Sequence, residues 1–487
     1  MRASVACLAL GLAGCGLVLD LDPRPDAAVG GPDATVRPDA DSPDADSPDA
    51  AACDPADPEI CNGVDDDCDG LIDEPDRGEA LCPGPLFCVS GMCVSDCPPG
   101  YVVCGTECAD IAVSPRHCGG CDNACSSRAV CEAGACAMTF AGITAGKEFT
   151  CGYTRDGSPF CWGSNESGQI GDGTSADVSV ATAVEGITDV IAMDAGPSHA
   201  CAILAGGEVF CWGANVSGEV GVPLVDAIVR VPASILVDAV ALGAGPEGTM
   251  AVDSAGVVHA WGLNADARFS SPPTIDAITP ETIVMSDSAM SVGLGVGHSC
   301  LRLRADSVAC SGDNSFGQLG GGSGNASIFT MLSPSPAVEE LRAGDDYTLA
   351  LDTGELLCWG SNTHGVCAAA SSMGTIVRAP RRVEGLPDRV TAFDAGPIHA
   401  CAVSGRDVYC WGSNEDGQVD GMPSGSIQPL PTHVPLPADA VEVATGRDHS
   451  CARLSSGLVY CWGAGARGQR GTGLLAPGPP DVPVRGT

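Results

Sequence analysis

Ala195-Gly196-Pro197-Ser198-His199-Ala200-Cys201-Ala202, followed after a short turn by Gly207-Glu208-Val209-Phe210-Cys211-Trp212-Gly213, is the stretch on which the fold turns. It contains two short apolar runs separated by a glycine turn, the pattern of an antiparallel pair of strands. It returns as Ala395-Gly396-Pro397-Ile398-His399-Ala400-Cys401-Ala402, then Cys410-Trp411-Gly412-Ser413-Asn414. All six tryptophans keep the same frame, at Trp162, Trp212, Trp261, Trp359, Trp411 and Trp462, and Ser311 takes the place of tryptophan in the remaining copy.

The period is therefore about 50 residues, and a fixed period of that size signals a propeller or solenoid. Each copy ends in a polar, glycine-rich turn such as Ser164-Asn165-Glu166-Ser167-Gly168-Gln169. Helical periodicity is not evident. Seven four-stranded units close naturally into a ring, which removes most exposed edges. The expected fold is all-β, a seven-bladed propeller over residues 141–487, preceded by a small disulfide-rich loop module and a disordered tether.

The repeat resembles the RCC1 (regulator of chromosome condensation) family. Copies one, two, four, six and seven match it closely, and copies three and five are degenerate. The resemblance implies the propeller fold and protein binding through the faces of the disc. Members include an exchange factor for a small nuclear GTPase, ubiquitin-ligase subunits and protein inhibitors of β-lactamase. The family motif also carries histidine at the place of His199, His298, His399 and His449, which implies a hydrogen-bonded packing residue. Copy one has Phe149 there, so the position does not require a metal ligand.

Cysteines in the repeats fall into pairs: Cys151 with Cys161, Cys201 with Cys211, Cys300 with Cys310, Cys401 with Cys410, and Cys451 with Cys461. Each pair flanks a turn, so its members lie nearly opposite one another in a hairpin, close to the geometry a disulfide needs. In copy three both are absent together, replaced by Met250 and Ala260. Copy five has Cys358 opposite Leu349, leaving Cys367 in the next turn as its expected partner. Closing so short a loop stabilises by roughly 3 kcal/mol in the chain-entropy model.

Twenty-eight cysteines point to an oxidising compartment, because cytosolic thiols are kept reduced. The formal net charge of -39, with Lys147 the only lysine, argues against nucleic-acid binding, which depends on clustered Lys and Arg. At the N-terminus Arg2 precedes an apolar run, Val5 to Leu12, too short to span a bilayer. Leu12-Ala13-Gly14-Cys15 resembles the bacterial lipobox, so residues 1–15 are expected to be a signal peptide with Cys15 lipidated. The protein would then be anchored in the cell envelope, at the outer membrane or cell surface. Residues 16–52 repeat Pro-Asp-Ala without aromatic residues, which predicts an extended tether.

Residues 53–140 hold 14 cysteines and little else to build a core, as expected of a bridge-held module. Its CxxC, Cys118-Gly119-Gly120-Cys121, reads as part of that module rather than as a redox or zinc site. The run Cys61-Asn62-Gly63-Val64-Asp65-Asp66-Asp67-Cys68-Asp69-Gly70 resembles a Cys-rich metal-binding motif of bacterial surface proteins. Asp65, Asp67, Asp69, Asp73 and Asp76 have the spacing of a Ca²⁺ loop, alternate carboxylates pointing at a hard cation and Gly70 allowing the sharp turn. Asp76 replaces the usual bidentate glutamate and no flanking helix is evident. A solvated acidic turn braced by Cys61 and Cys68 is the competing reading.

No nucleophile elbow, zinc-protease helix or phosphate loop occurs in the propeller. The expectation is a surface-displayed binding protein for a protein or glycan partner. The rival is an enzyme with its site at the central channel, and an exchange-factor role is disfavoured because it needs a cytosolic partner.

Overall fold

The structure, a computed structural model, describes residues 60–63, 81–83, 86–89 and 91–486, except 106, 225, 237, 270–276, 334 and 369–373. Cys15, the tether, Cys53, Cys68 and all five aspartates of the Ca²⁺-like loop lie outside the described residues.

The repeats form seven blades, six of four strands and a last one of three. The innermost strands are Gly142–Ala145, Val190–Ala195, Ala239–Gly245, Ala289–Leu294, Val338–Ala343, Val390–Ala395 and Ala440–Thr445. Each packs on the next, and Ala440–Thr445 packs back on Gly142–Ala145, so the ring is closed. Within a blade the four strands run outward in chain order, joined antiparallel by short turns.

One glycine per blade explains how seven strands converge on one axis. A Cβ on Gly446 would stand 2.7 Å from the carbonyl oxygen of Gly146, and one on Gly196 would stand 2.7 Å from that of Gly245. Any larger residue there would force neighbouring blades apart, so each of these turn glycines sits where two blades touch.

The tryptophans hold blade to blade. All six are fully buried. Each indole N–H donates to a main-chain carbonyl in the loop of the preceding blade: Trp212 to Gln169, Trp359 to Gln318, and Trp162 to Gln469 across the ring closure, all at 2.9 Å. In blade four the Ser311 hydroxyl donates to the carbonyl of Ala267 at 2.8 Å, one residue before the corresponding acceptor, Arg268. Serine keeps a bond to the loop of the preceding blade while giving up the apolar area of the indole.

Blade seven takes its outer edge from the C-terminal tail. Pro483 pairs with Tyr460, and Val484 is fully buried between Val459 and Met138. Arg485 pairs with Ala137, which belongs to the Cys-rich module. The tail thus joins the last blade, the first blade and the module in one place.

The module is a four-stranded sheet (Met92–Val94, Phe87–Val89, Glu107–Ala109, Val102–Cys104) and a hairpin, Ala129–Glu132 with Ala135–Met138. Its described bridges are Cys61–Cys88, Cys82–Cys93, Cys97–Cys108, Cys104–Cys121, Cys118–Cys131 and Cys125–Cys136. Cys61 is therefore tied to the sheet rather than to Cys68, which corrects the local brace considered for the acidic turn. The two CxxC cysteines enter different bridges. Every cysteine of the two close clusters, Cys61/Cys82/Cys93 and Cys118/Cys125/Cys136, is oxidised and offers no thiolate to a metal.

Candidate functional site

In the propeller the structure bridges Cys151–Cys161, Cys201–Cys211, Cys300–Cys310, Cys401–Cys410 and Cys451–Cys461, with Cα atoms 4.0–4.1 Å apart. Each joins the second and third strands at directly paired positions, such as Cys201 opposite Cys211. Met250 and Ala260 occupy the same paired positions in blade three. Cys358 is bonded to Cys367, Cα to Cα 5.2 Å, because its cross-strand neighbour is Leu349.

The four histidines are not gathered at one place. Nε2 of His199 meets the Thr249 hydroxyl at 2.8 Å, His298 meets Thr348 at 3.0 Å, His399 meets Ser450 at 2.7 Å and His449 meets Thr150 at 2.8 Å, each time in the next blade. Those hydroxyls already donate to loop carbonyls, Thr249 to Glu219 at 2.8 Å and Thr348 to Gln318 at 3.0 Å. A hydroxyl has one proton to give, so Nε2–H must be the donor. Burial drives the pKa of His199, His399 and His449 down to about 3 and that of His298 to about 4. Tyr347 takes the histidine's place in blade five, donating to Gly396 at 2.7 Å. In blade three the place is Gly248, and the guanidinium of Arg268 fills the space. These residues clamp blades together.

The remaining cluster of charge lines the axis. A channel cavity of about 440 Å³ is walled by the ends of the innermost strands. At one level stand Thr144, Asp194, Arg342 and Asp394, with glycines at Gly243 and Gly293. Asp194 accepts from the amides of Ala195 at 3.0 Å and Ala244 at 2.8 Å and from the Thr144 hydroxyl at 3.3 Å, joining three blades. Asp394 accepts from both the amide and the hydroxyl of Thr445 at 2.7 Å. Arg342 pairs with Glu340 at 2.6 Å and approaches Asp394 at 3.9 Å. Glu442 pairs with Arg453 at 2.6 Å.

Burial raises Asp194 to about 6 against the pull of Arg342, and it raises Asp394 and Glu442 in the same direction. At the mouth where the innermost strands finish, Lys147, Asp345 and Arg447 line the wall. Burial, reinforced by Asp346, brings Asp345 to about 6. Sequence reading missed this cluster. Its signal was the residue two before each turn glycine, which alternation aims at the axis: Thr144, Asp194, Arg342 and Asp394 are polar there, while Gly243, Gly293 and Ala444 are small.

Chemically, the carboxylates act as cross-blade staples. Both oxygens of Asp194 accept hydrogen bonds from protein groups, and among the described residues no histidine or cysteine lines the cavity beside them.

Profiles of the regulator of chromosome condensation (RCC1) repeat match residues 140–169, 190–219 and 440–469, and a second profile of the repeat matches 156–203 and 407–453. The stigma-specific STIG1-like protein family matches residues 79–139, most of the bridged module, a likeness the sequence reading had not drawn. RCC1 domain-containing protein 1 of Homo sapiens is 28% identical over 188 residues, covering 30% of this chain and 50% of the relative. The regulator of chromosome condensation of Mus musculus is 31% identical over 173 residues, 33% of this chain and 39% of the relative. The chain thus spans half or less of these curated relatives. Among solved structures, Prp20p of Saccharomyces cerevisiae, described with its binding properties to Gsp1p and histones, superposes with a TM-score of 0.60 at 21% identity, over 72% of this chain and 87% of that one. With the closed ring of seven blades, these matches establish that the chain carries RCC1 repeats folded as an RCC1-like β-propeller.

Proposed function

We propose that this protein is an envelope-anchored binding protein, held to a membrane by lipid on Cys15, spaced from it by residues 16–52, and presenting the propeller to a protein or glycan partner. The observation that carries the reading is the ring itself. Its tryptophans and His199, His298, His399 and His449 are consumed in holding blades together and its cysteines in bracing strands within a blade, leaving the two faces and the channel mouths as the surfaces free to recognise something. Relatives described as binding proteins, Prp20p with Gsp1p and histones, support a protein partner. The oxidised cysteines and the charge of -39 favour a compartment outside the cytosol, which sets aside nucleotide exchange on a cytosolic GTPase.

The raised carboxylates Asp194, Asp394 and Glu442 around the 440 Å³ channel favour a second reading, an enzyme of the channel. Their hydrogen bonds to neighbouring blades favour the first.

The test is fractionation followed by binding. The wild-type chain is expected in the membrane fraction, and Cys15→Ala in the soluble fraction or unprocessed. The unlipidated Cys15→Ala chain should then bind intact cells or envelope extract saturably. Unchanged membrane fractionation would remove the anchor, and binding that never saturates would remove the receptor role.

A further inference from the structure

The outer strand of each blade is an edge, with amides that face away from the blade, and edges invite pairing unless they are blocked. One position, immediately before the residue opposite the third-strand cysteine, shows how this chain blocks them. Blades two, three, five and six hold Pro232, Pro280, Pro380 and Pro431 there, next to residues paired with Cys211, Ala260, Cys358 and Cys410. Proline has no N–H to offer. Blade one holds Ala181, whose amide is taken by the carbonyl of Arg485. In blade seven the position falls in the tail, at Asp481, whose amide is taken by Pro479.

Blade four is different. Its outer strand is Ala326–Met331, its residue at the position is Phe329, and among the described residues no strand pairs with its outer side. The Leu332 amide bonds inward to Val308, as Val184 bonds to Pro159 in blade one, so the Phe329 amide faces outward as that of Ala181 does. Ile328 is 58% exposed, Met331 51% and nearby Phe316 40%. Residues 314–338 contain no Asp, Glu, Lys or Arg. The outer strands of blades two, three and five do carry charge, among them Arg230, Glu281, Arg378, Arg381 and Arg382, and the uncharged outer strand of blade six, Ile427–Val434, is interrupted by two prolines, Pro429 and Pro431.

We propose that this edge is a pairing site for a second copy of the chain, Ala326–Met331 lying antiparallel to its counterpart to continue the blade-four sheet across a two-fold axis. Charge selects this occupant. Two chains of net charge -39 repel one another, and this uncharged strand lets two rims meet without opposed carboxylates. The same strand on both copies is self-complementary, as a two-fold contact requires. Pairing centred on Phe329 sets Ser327 against Met331 of the second copy, exchanges the outward amides and carbonyls, and covers Ile328 and Met331.

Sedimentation equilibrium on the unlipidated full chain (Cys15→Ala) tests it. A monomer–dimer equilibrium is expected, strengthened by added salt. Phe329→Pro, which installs the residue of four other blades, should raise the dissociation constant at least about tenfold. Ile328→Glu, a change at an exposed side chain, should do the same and serves if the proline variant fails to fold. A monomer at every concentration and salt, a dimer indifferent to Ile328→Glu, or occupation of the strand by a different envelope protein would overturn the proposal.

Discussion

The carbonyl of Arg485 accepts a hydrogen bond from the amide of Ala181 at 2.7 Å, fastening the end of the chain to the edge of blade one. The flanking residue, Val484, is fully buried, and its carbonyl accepts from Met138 at 3.0 Å. Val484→Asp would bury an unpaired charge at the seam of the ring and should cost about 3 kcal/mol or more. Leu475→Asp, on an exposed residue of the same tail, should change stability by less than about 0.5 kcal/mol. Denaturant titration of both variants measures the difference, and equal effects would mean that the tail does not close the ring.

Stability should fall gently between pH 6 and 4 and more steeply below 4. The depressed histidines bind protons in the unfolded chain but not the folded one from about 6.5 down to 3 or 4, so the stability they support is lost as pH falls through that window. Asp194, Asp345 and Asp448, raised to about 6 chiefly by burial, do the opposite: the folded chain holds their protons first, so stability is gained from 6 down to 3.8. Four protons against three leave one net proton, a slope of about 1.4 kcal/mol per pH unit, until the carboxylate contribution is complete. Calorimetric melting from pH 7 to 3 checks the shape. Asp194→Asn should steepen the loss between pH 6 and 4, and a wild-type decline as steep between 6 and 4 as below 4 would contradict the balance.

Much of this was legible in the sequence. Trp162 to Trp462 gave the blades because buried indoles at one structural level recur at the period of the unit. Joint presence or absence of cysteines, down to Met250 and Ala260, gave the hairpin register. The channel was harder to see, since Asp194 and Arg342 acquire meaning only when strands 148 residues apart in sequence converge on the axis. The tail was hidden for a local reason. Pro477, Pro479, Pro480 and Pro483 leave no strand pattern of their own, and the pairing that orders the tail is with Tyr460 and the module. Connectivity of the module lay beyond sequence, because cysteines so close together admit many pairings.

Ca²⁺ should bind the full chain through Asp65, Asp67, Asp69, Asp73 and Asp76, with a dissociation constant near the extracellular range of roughly 10⁻⁴–10⁻³ M or tighter. Calorimetric titration of the wild-type chain against Asp65→Ala separates the loop from diffuse attraction to the acidic surface. Identical heats for the two proteins would remove the loop as a site.

The central claim, recognition through the propeller faces, is tested most directly by photo-cross-linking on intact cells carrying the full lipidated chain. Reactive side chains are placed singly at Ile191 or Met290, where the innermost strands begin, at Val216, in a loop at the opposite face, and at Ile328 on the outer wall; all four positions are exposed. The account predicts that one face position links repeatedly to a single envelope partner, while Ile328 links only to a second copy. Failure of both faces to capture any partner, with capture confined to the outer wall, would contradict it.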